Sequence, residues 1–273
     1  MADLARLSIN QATTREQHSL AQAIEAYAGA GVAGISIWRD KLAECGLDEA
    51  ARMLKDQGLR VSGLCRAGQF PSDSAAERQA RIDDSLVAVD EAVALGADCL
   101  IVVAGGLPEG SKDLAGARGM IRDGLGSILP HARAARMPVA IEPLHPMYAA
   151  DRCAINSLGQ ALDLCDELGD GIGVAVDVYH VWWDPNLQAQ IARAGDRVLA
   201  YHVCDWLVPT TDLLLDRGMM GDGVIDIPQI SAWVDGTGYD GLIEVEIFSA
   251  ENWWKRPGEE VIRTCRDRIV SAV

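Results

Sequence analysis

Basic charge is in short supply in this 273-residue chain: 24 Lys and Arg stand against 40 Asp and Glu, a formal net charge of −16. Nucleic-acid binding rests on a basic face that displaces counterions, so no nucleic-acid partner is expected. Long apolar runs are also missing. Nothing approaches the roughly 20 residues that a membrane-spanning helix requires, so no membrane partner is expected either. The opening MADLARLSINQ lacks the basic-then-apolar pattern of a secretory leader, which points to the cytoplasm. Seven cysteines (Cys45, Cys65, Cys99, Cys153, Cys165, Cys204 and Cys265) form an odd, scattered set with no C-x-x-C. Such a set excludes a zinc ribbon or disulfide framework and suits a reducing compartment. Aromatic residues are few, yet Trp supplies 7 of them against 5 Tyr and 2 Phe.

What is present is enough apolar material, 49% of the residues, to bury a sizeable core. No low-complexity segment, Pro/Gly linker or long charge run divides the chain, so residues 1–273 read as one domain. Short, nearly continuous apolar runs recur at 5–10, 32–38, 60–65, 98–104, 138–142, 173–177, 198–203 and 241–247. They have the character of strands buried on both faces. Amphipathic patterns at 19–30, 47–57, 75–95, 115–135, 157–168 and 258–272 predict helices between them, and Asn156 is the expected N-cap of the fifth. Eight strands alternating with helices over about 250 residues predict a single closed (β/α)8 barrel of the TIM type. The competitor, a doubly wound open sheet, usually carries a Gly-rich phosphate turn after its first strand. LSINQATTRE has no glycine there.

Barrel chemistry sits at the C-terminal ends of the strands, so those ends are where to look. Glu142, Asp177 and Glu246 each stand at the end of an apolar run, where a carboxylate is costly to bury unless paired or bound to metal. A fourth run, between those of Asp177 and Glu246, supplies His202. Three carboxylates and one imidazole suit Mn²⁺, Mg²⁺ or Co²⁺ better than a structural zinc, which favours sulfur and more imidazole. The bland reading of each carboxylate is a rim residue paired with an arginine. His180 and His145 follow Asp177 and Glu142 by three residues, each as a ligand, a substrate contact or a loop histidine. Six tryptophans (Trp38, Trp182, Trp183, Trp206, Trp253 and Trp254) follow strand ends. Flat apolar rings beside polar groups suit the C–H faces of a polyhydroxylated ligand. Arg217 lies in the long loop 206–225, either reaching substrate or pairing with Asp212, Asp216 or Asp222.

The segments EPLHP (142–146), DVYH (177–180), YHVCD (201–205), GDGVIDIP (221–228) and EVEIFS (244–249) occur in this order. Together they resemble the sugar phosphate isomerase/epimerase family, within the xylose-isomerase-like TIM barrel superfamily. The resemblance implies one divalent ion, Mn²⁺ foremost with Mg²⁺, Co²⁺ or Zn²⁺ as alternatives, held by Glu142, Asp177, His202 and Glu246. It implies a substrate contact from His180, and one from Arg217 by position in its loop. The abasic-site endonuclease members need further histidines on the early strands, where this chain has Trp38, Cys65 and Ala104. The two-metal arrangement of xylose isomerase needs additional carboxylates, of which Asp205 is the one candidate.

These expectations combine into a metal-dependent isomerase or epimerase of a ketose or keto-sugar. Proton transfer runs through a metal-stabilised enediolate, with Glu142 and Glu246 as the acid/base pair. Trp38, Trp182, Trp206 and Trp253 join His180 and Arg217 as expected substrate contacts. A lyase or dehydratase of a keto-inositol, keto-sugar or 3-keto-glycoside is the alternative, because the same enediolate can expel a leaving group. Outside catalysis stands a sugar-binding or partner subunit on a retained barrel. Homo-oligomerisation stays open. No phosphate cradle is evident, so a neutral keto-sugar is expected in preference to a sugar phosphate.

Overall fold

The structure, a computed structural model, describes residues 3–273. Eight strands close into a parallel barrel in chain order: β1 (Leu7–Asn10), β2 (Gly34–Trp38), β3 (Arg60–Gly68), β4 (Leu100–Val103), β5 (Val139–Ile141), β6 (Ile172–Asp177), β7 (Val198–Val203) and β8 (Ile243–Val245). The ring shuts by pairing β1 with β8 on one side and β2 on the other. The protein is thus a (β/α)8 barrel. Among the described residues no helix is long and apolar enough to cross a membrane.

Strand alternation explains how one run of residues serves two environments. Ile9, Ile35, Ile37, Val102, Ile141, Val174, Val176, Val203 and Val245 are fully buried in the cluster shared with the helices. Their inward neighbours are small or polar: Cys65, Ala140, Ala175 and Ala200 fill the barrel middle. Ser8, Asn10, Ser36 and Ser62 are also buried. An apolar run with a polar residue at every second position is therefore not amphipathic in the usual sense. Both faces are buried, and the barrel interior combines an apolar cluster that includes Cys99 and Ile101 with the buried serines and Asn10.

The helices begin and end where local chemistry directs. Ser74 caps Ala75–Leu95 by accepting from the Glu77 N–H, a contact worth about 1 kcal/mol, and Gly96 ends it at φ 65°. Ser19 and Gln22 form a reciprocal capping box before Leu20–Gly29. The expected cap at Asn156 is corrected: Ser157 caps Leu158–Leu168, while the Asn156 amide donates to the Leu144 and Cys153 carbonyls. Strand β3 also runs on to Gly68, past the end expected at Cys65, because β4 pairs with Ala67 and Gly68. Strand β7 matches its apolar run, β6 begins one residue earlier at Ile172, and the remaining strands are shorter than their runs.

Candidate active site

Four strands adjacent in the barrel, β5 to β8, each carry one polar side chain inward at or just beyond the C-terminal end. Glu142 follows β5, Asp177 ends β6, His202 lies in β7 and Glu246 follows β8. Register sets their level: Asp177 is the cross-strand partner of His202. All four are buried, and one ligand atom from each lies within 4.8 Å of the others. His202 Nδ1 faces Glu142 Oε1 at 3.0 Å.

Crowding buried carboxylates is electrostatically unfavourable, and the site shows it. Burial, reinforced by Glu142 and Asp177, pushes the Glu246 carboxyl up to about 8 despite the opposing pull of Arg217. Burial raises Asp177 as well. Burial works against a charge on His202, yet Glu244, Glu142 and Glu246 hold its imidazole well above the usual range. The cluster therefore draws in positive charge from its neighbours, which is the demand a divalent cation meets. Three carboxylates and one imidazole are also the donor set for such an ion. These residues can hold a metal.

Arg217 supplies part of the positive charge. Its Nη1 donates to Glu246 Oε2 at 2.9 Å and to Asp177 Oδ2 at 3.3 Å. The guanidinium is packed between the Tyr179 ring, 4.4 Å away, and the Phe248 ring, 5.0 Å away. The alternative pairing with Asp212, Asp216 or Asp222 does not occur. Asp212 accepts backbone N–H groups of its own loop, Asp216 holds Thr211, and Asp222 pairs with Arg268. The loop delivers Arg217 through a short antiparallel ladder, Asp205–Trp206 against Arg217–Gly218. Asp205 is the staple of that loop, accepting from the N–H groups of Gly221, Gly223 and Ile225 at 2.8–3.0 Å. A Cβ on Gly223 would sit 2.2 Å from the Trp206 carbonyl, so the close approach needs glycine. All of this occupies Asp205, which is not among the four clustered ligands.

His180 is buried beside the cluster. Its Nδ1 accepts from the His145 N–H at 3.3 Å, and its Nε2 lies 3.6 Å from Asp177 Oδ2 and 3.3 Å from Arg217 Nη2. Burial, followed by Arg217, holds its pKa well below the ordinary histidine value. His145 instead turns its Nδ1 to the Met147 N–H and stacks near Trp206.

A cavity of about 220 Å³ opens above the cluster. Glu142, Glu246, His180, Arg217, Trp38, Phe248 and Trp254 line it, whereas Asp177 and His202 lie beneath its wall. The tryptophans divide. Trp38 and Trp254 face the cavity, but Trp182, Trp206 and Trp253 are not on its wall. Trp206 stacks on Tyr179 at 4.7 Å and packs beside Trp182; Trp253 is buried, with Arg256 over its ring. These rings stand at the correct rim but close the barrel instead of facing its opening.

Sequence reasoning missed Glu244. It is fully buried one layer below Glu246, where it accepts from Asn10 Nδ2 at 2.7 Å and Ser62 Oγ at 2.8 Å. Its Oε1 lies 3.6 Å from His202 Nε2. A carboxylate behind a ligand imidazole orients the ring and raises its basicity. Two residues apart on one strand, Glu244 and Glu246 must face the same way, which is the signal that could have found it.

A closed parallel barrel with a buried carboxylate–imidazole cluster at its C-terminal rim defines the class: a (β/α)8 barrel whose clustered residues could hold a metal ion beside a cavity. The chain belongs to the xylose isomerase-like TIM barrel family, whose description matches residues 24–267. It is 25% identical over 98% of its length to the inosose isomerase of Halalkalibacterium halodurans, 96% of which is covered. The crystal structure of a Sinorhizobium meliloti 1021 protein is similar at 57% identity and TM-score 0.98, covering 99% of both chains. The IolI protein, crystallised with a zinc atom, shares the fold at 23% identity and TM-score 0.86, with 98% of each chain covered.

Proposed function

We propose that this protein is a divalent-metal-dependent isomerase or epimerase of a small polyhydroxylated ketone, such as a ketose or an inosose. One observation carries the reading: of the four clustered residues, only Glu142 and Glu246 also line the cavity. Asp177 and His202 would serve the ion alone, and the two glutamates would face both ion and substrate. The inosose isomerase relative supports the substrate class, and the zinc bound by the IolI protein supports a metal in a barrel of this fold. The donor set favours Mn²⁺.

When bound, the ion would supply Lewis acidity, making the C–H bond beside the substrate carbonyl more acidic. Glu142 and Glu246 act as general base and general acid at that carbon. They approach from β5 and β8, the two ends of the four-strand arc, so one removes a proton and the other returns one. Return to the same carbon gives the epimer, and return to the neighbouring carbon gives the isomer. His180, on the cavity wall, hydrogen-bonds a substrate hydroxyl. Arg217 orients the Glu246 carboxylate through its 2.9 Å bond. Trp38 and Trp254 offer flat surfaces to the substrate C–H face.

Metal analysis of the purified chain, followed by NMR of ketoses and inososes in D₂O with Mg²⁺, tests the reading. About one ion per chain and solvent deuterium in an isomeric product are expected. Loss of water or of an aglycone in place of isomerisation would assign the chain to the lyases. A tight sugar complex without exchange would make it a binding protein.

A further inference from the structure

We infer that the substrate of this site carries an anionic group, a carboxylate or a phosphate, bound by Arg66 and Arg152. The inference rests on reading the cavity as the substrate site and goes further by naming the charge of what enters it.

Both arginines line the cavity and are half-buried. Among the described residues, neither guanidinium makes an ion pair or a hydrogen bond. Arg136, Arg263 and Arg266 also lack such partners, but of these five arginines only Arg66 and Arg152 line the cavity. Elsewhere carboxylates find the arginines readily: Arg39 holds Asp84 and Glu91, and Arg193 holds Asp163 and Asp166. The other two cations on the cavity wall are already matched, Arg15 by Asp40 at 3.0 Å and Arg217 by Glu246 and Asp177. A divalent ion together with Arg217 would balance the three carboxylates of the cluster, leaving the charge of Arg66 and Arg152 in surplus.

Placement makes the surplus usable. Arg66 lies in β3 and Arg152 in the segment after β5, and both line the cavity together with Val103 at the end of β4. Arg152 is set over the Tyr148 ring at 5.4 Å, and that ring is fixed by its hydroxyl donating to the Leu213 carbonyl at 2.7 Å. A ligand held here by one end shares the cavity with Glu142 and Glu246. Guanidinium forks match the paired oxygens of carboxylate and phosphate and cannot accept a hydrogen bond from a sugar hydroxyl. The neutral keto-sugar expected from the sequence would leave both forks half-used. The anchor is built from single arginines on separate segments, so no phosphate motif marks it in the sequence.

Calorimetry on the Mn²⁺-loaded full chain with fructose, fructose 6-phosphate and fructuronate tests this. At least one charged probe should bind about tenfold tighter than fructose or better, as expected for charge-assisted hydrogen bonds. The R66Q/R152Q double variant should lose that margin while keeping its bound metal and melting temperature. The two charged probes separate phosphate from carboxylate as the source. Equal binding of all three, no binding by any, or a margin that survives in the double variant overturns the inference. If the chain takes up no ion yet keeps the margin, the metal reading fails and the arginine assignment stands. If it takes up an ion and exchanges deuterium into fructose without any margin, the converse holds.

Discussion

The rim of the barrel has two unlike halves. Over β5 to β8 the strand-end side chains are Glu142, Asp177, His202 and Glu246, all buried and all able to take up a proton or a cation. Over β1 to β4 the residues at or near the strand ends include Asn10, Trp38, Arg66 and Val103, with no carboxylate or imidazole among them. The backbone is the same parallel ladder throughout, so the contrast lies wholly in side-chain chemistry. One arc concentrates negative charge where reaction is proposed; the other supplies amide, ring and cation to hold what reacts. Asn10 joins them: its Nδ2 donates to Glu244 and Glu246, while its Oδ1 accepts from Trp38 Nε1 at 2.8 Å. Reaction and holding surfaces thus share a rigid, fully hydrogen-bonded hinge residue at the β1–β8 seam.

The largest effect should come from the reaction arc. Glu246→Gln keeps the shape of the side chain and removes its proton chemistry, so the fold should persist. Proton exchange into substrate should fall by about 10²- to 10⁴-fold. Undiminished deuterium incorporation in that variant would falsify the acid/base assignment. One layer down, Glu244→Gln touches no substrate but loosens His202, and Mn²⁺ affinity should drop by about 10- to 100-fold. Titration followed by electron paramagnetic resonance reads this directly. Unchanged affinity would confine the reaction arc to the four cluster residues.

Protons and metal should also compete there. Because the Glu246 carboxyl sits at about 8 without metal, the metal-free chain holds a proton on it at lower pH that the ion must displace. Apparent metal affinity should therefore rise with pH up to about 8, by up to about tenfold per unit for that one proton, and then level off. A flat profile from pH 6 to 8 would show that Arg217 already keeps Glu246 ionised. The smallest effects separate two tryptophans that look alike in the sequence. Trp38→Leu should raise KM several-fold because the ring lines the cavity. Trp206→Leu should leave KM alone and cost about 1–2 kcal/mol of stability, since the half-buried ring stacks on Tyr179. Equal KM effects would erase the distinction between holding wall and closing wall.

The four clustered residues were legible because their signal is local. An ionisable side chain ending an apolar run is costly unless something binds it, and successive strands repeat the pattern. Glu244 carries the same signal, but a nearly continuous apolar run does not by itself show which of its residues alternate inward. Trp182, Trp206 and Trp253 were placed at the correct end of the barrel and on the wrong side of its wall. Chain position gives the height of a ring along the barrel axis and says nothing of the direction its χ angles take. Asn156 was read as a cap because its residue type caps helices well; Ser157, one residue later, does so, and the amide was needed to satisfy two loop carbonyls.

By itself, then, the sequence determined the alternation of strand and helix, the closed barrel and the height at which Glu142, Asp177, His202 and Glu246 stand. These follow from periodicity and from the cost of burying charge, both of which act within a few residues. Only the tertiary structure decided that Arg217 folds in between Tyr179 and Phe248 to meet Asp177 and Glu246. Only it brought Asn10 and Ser62 to Glu244, and left Arg66 and Arg152 lining one cavity without partners. Those contacts join residues 40 to 234 positions apart in several cases. Their geometry exists only after the ring of strands has closed, because closure sets which inward side chains share one space.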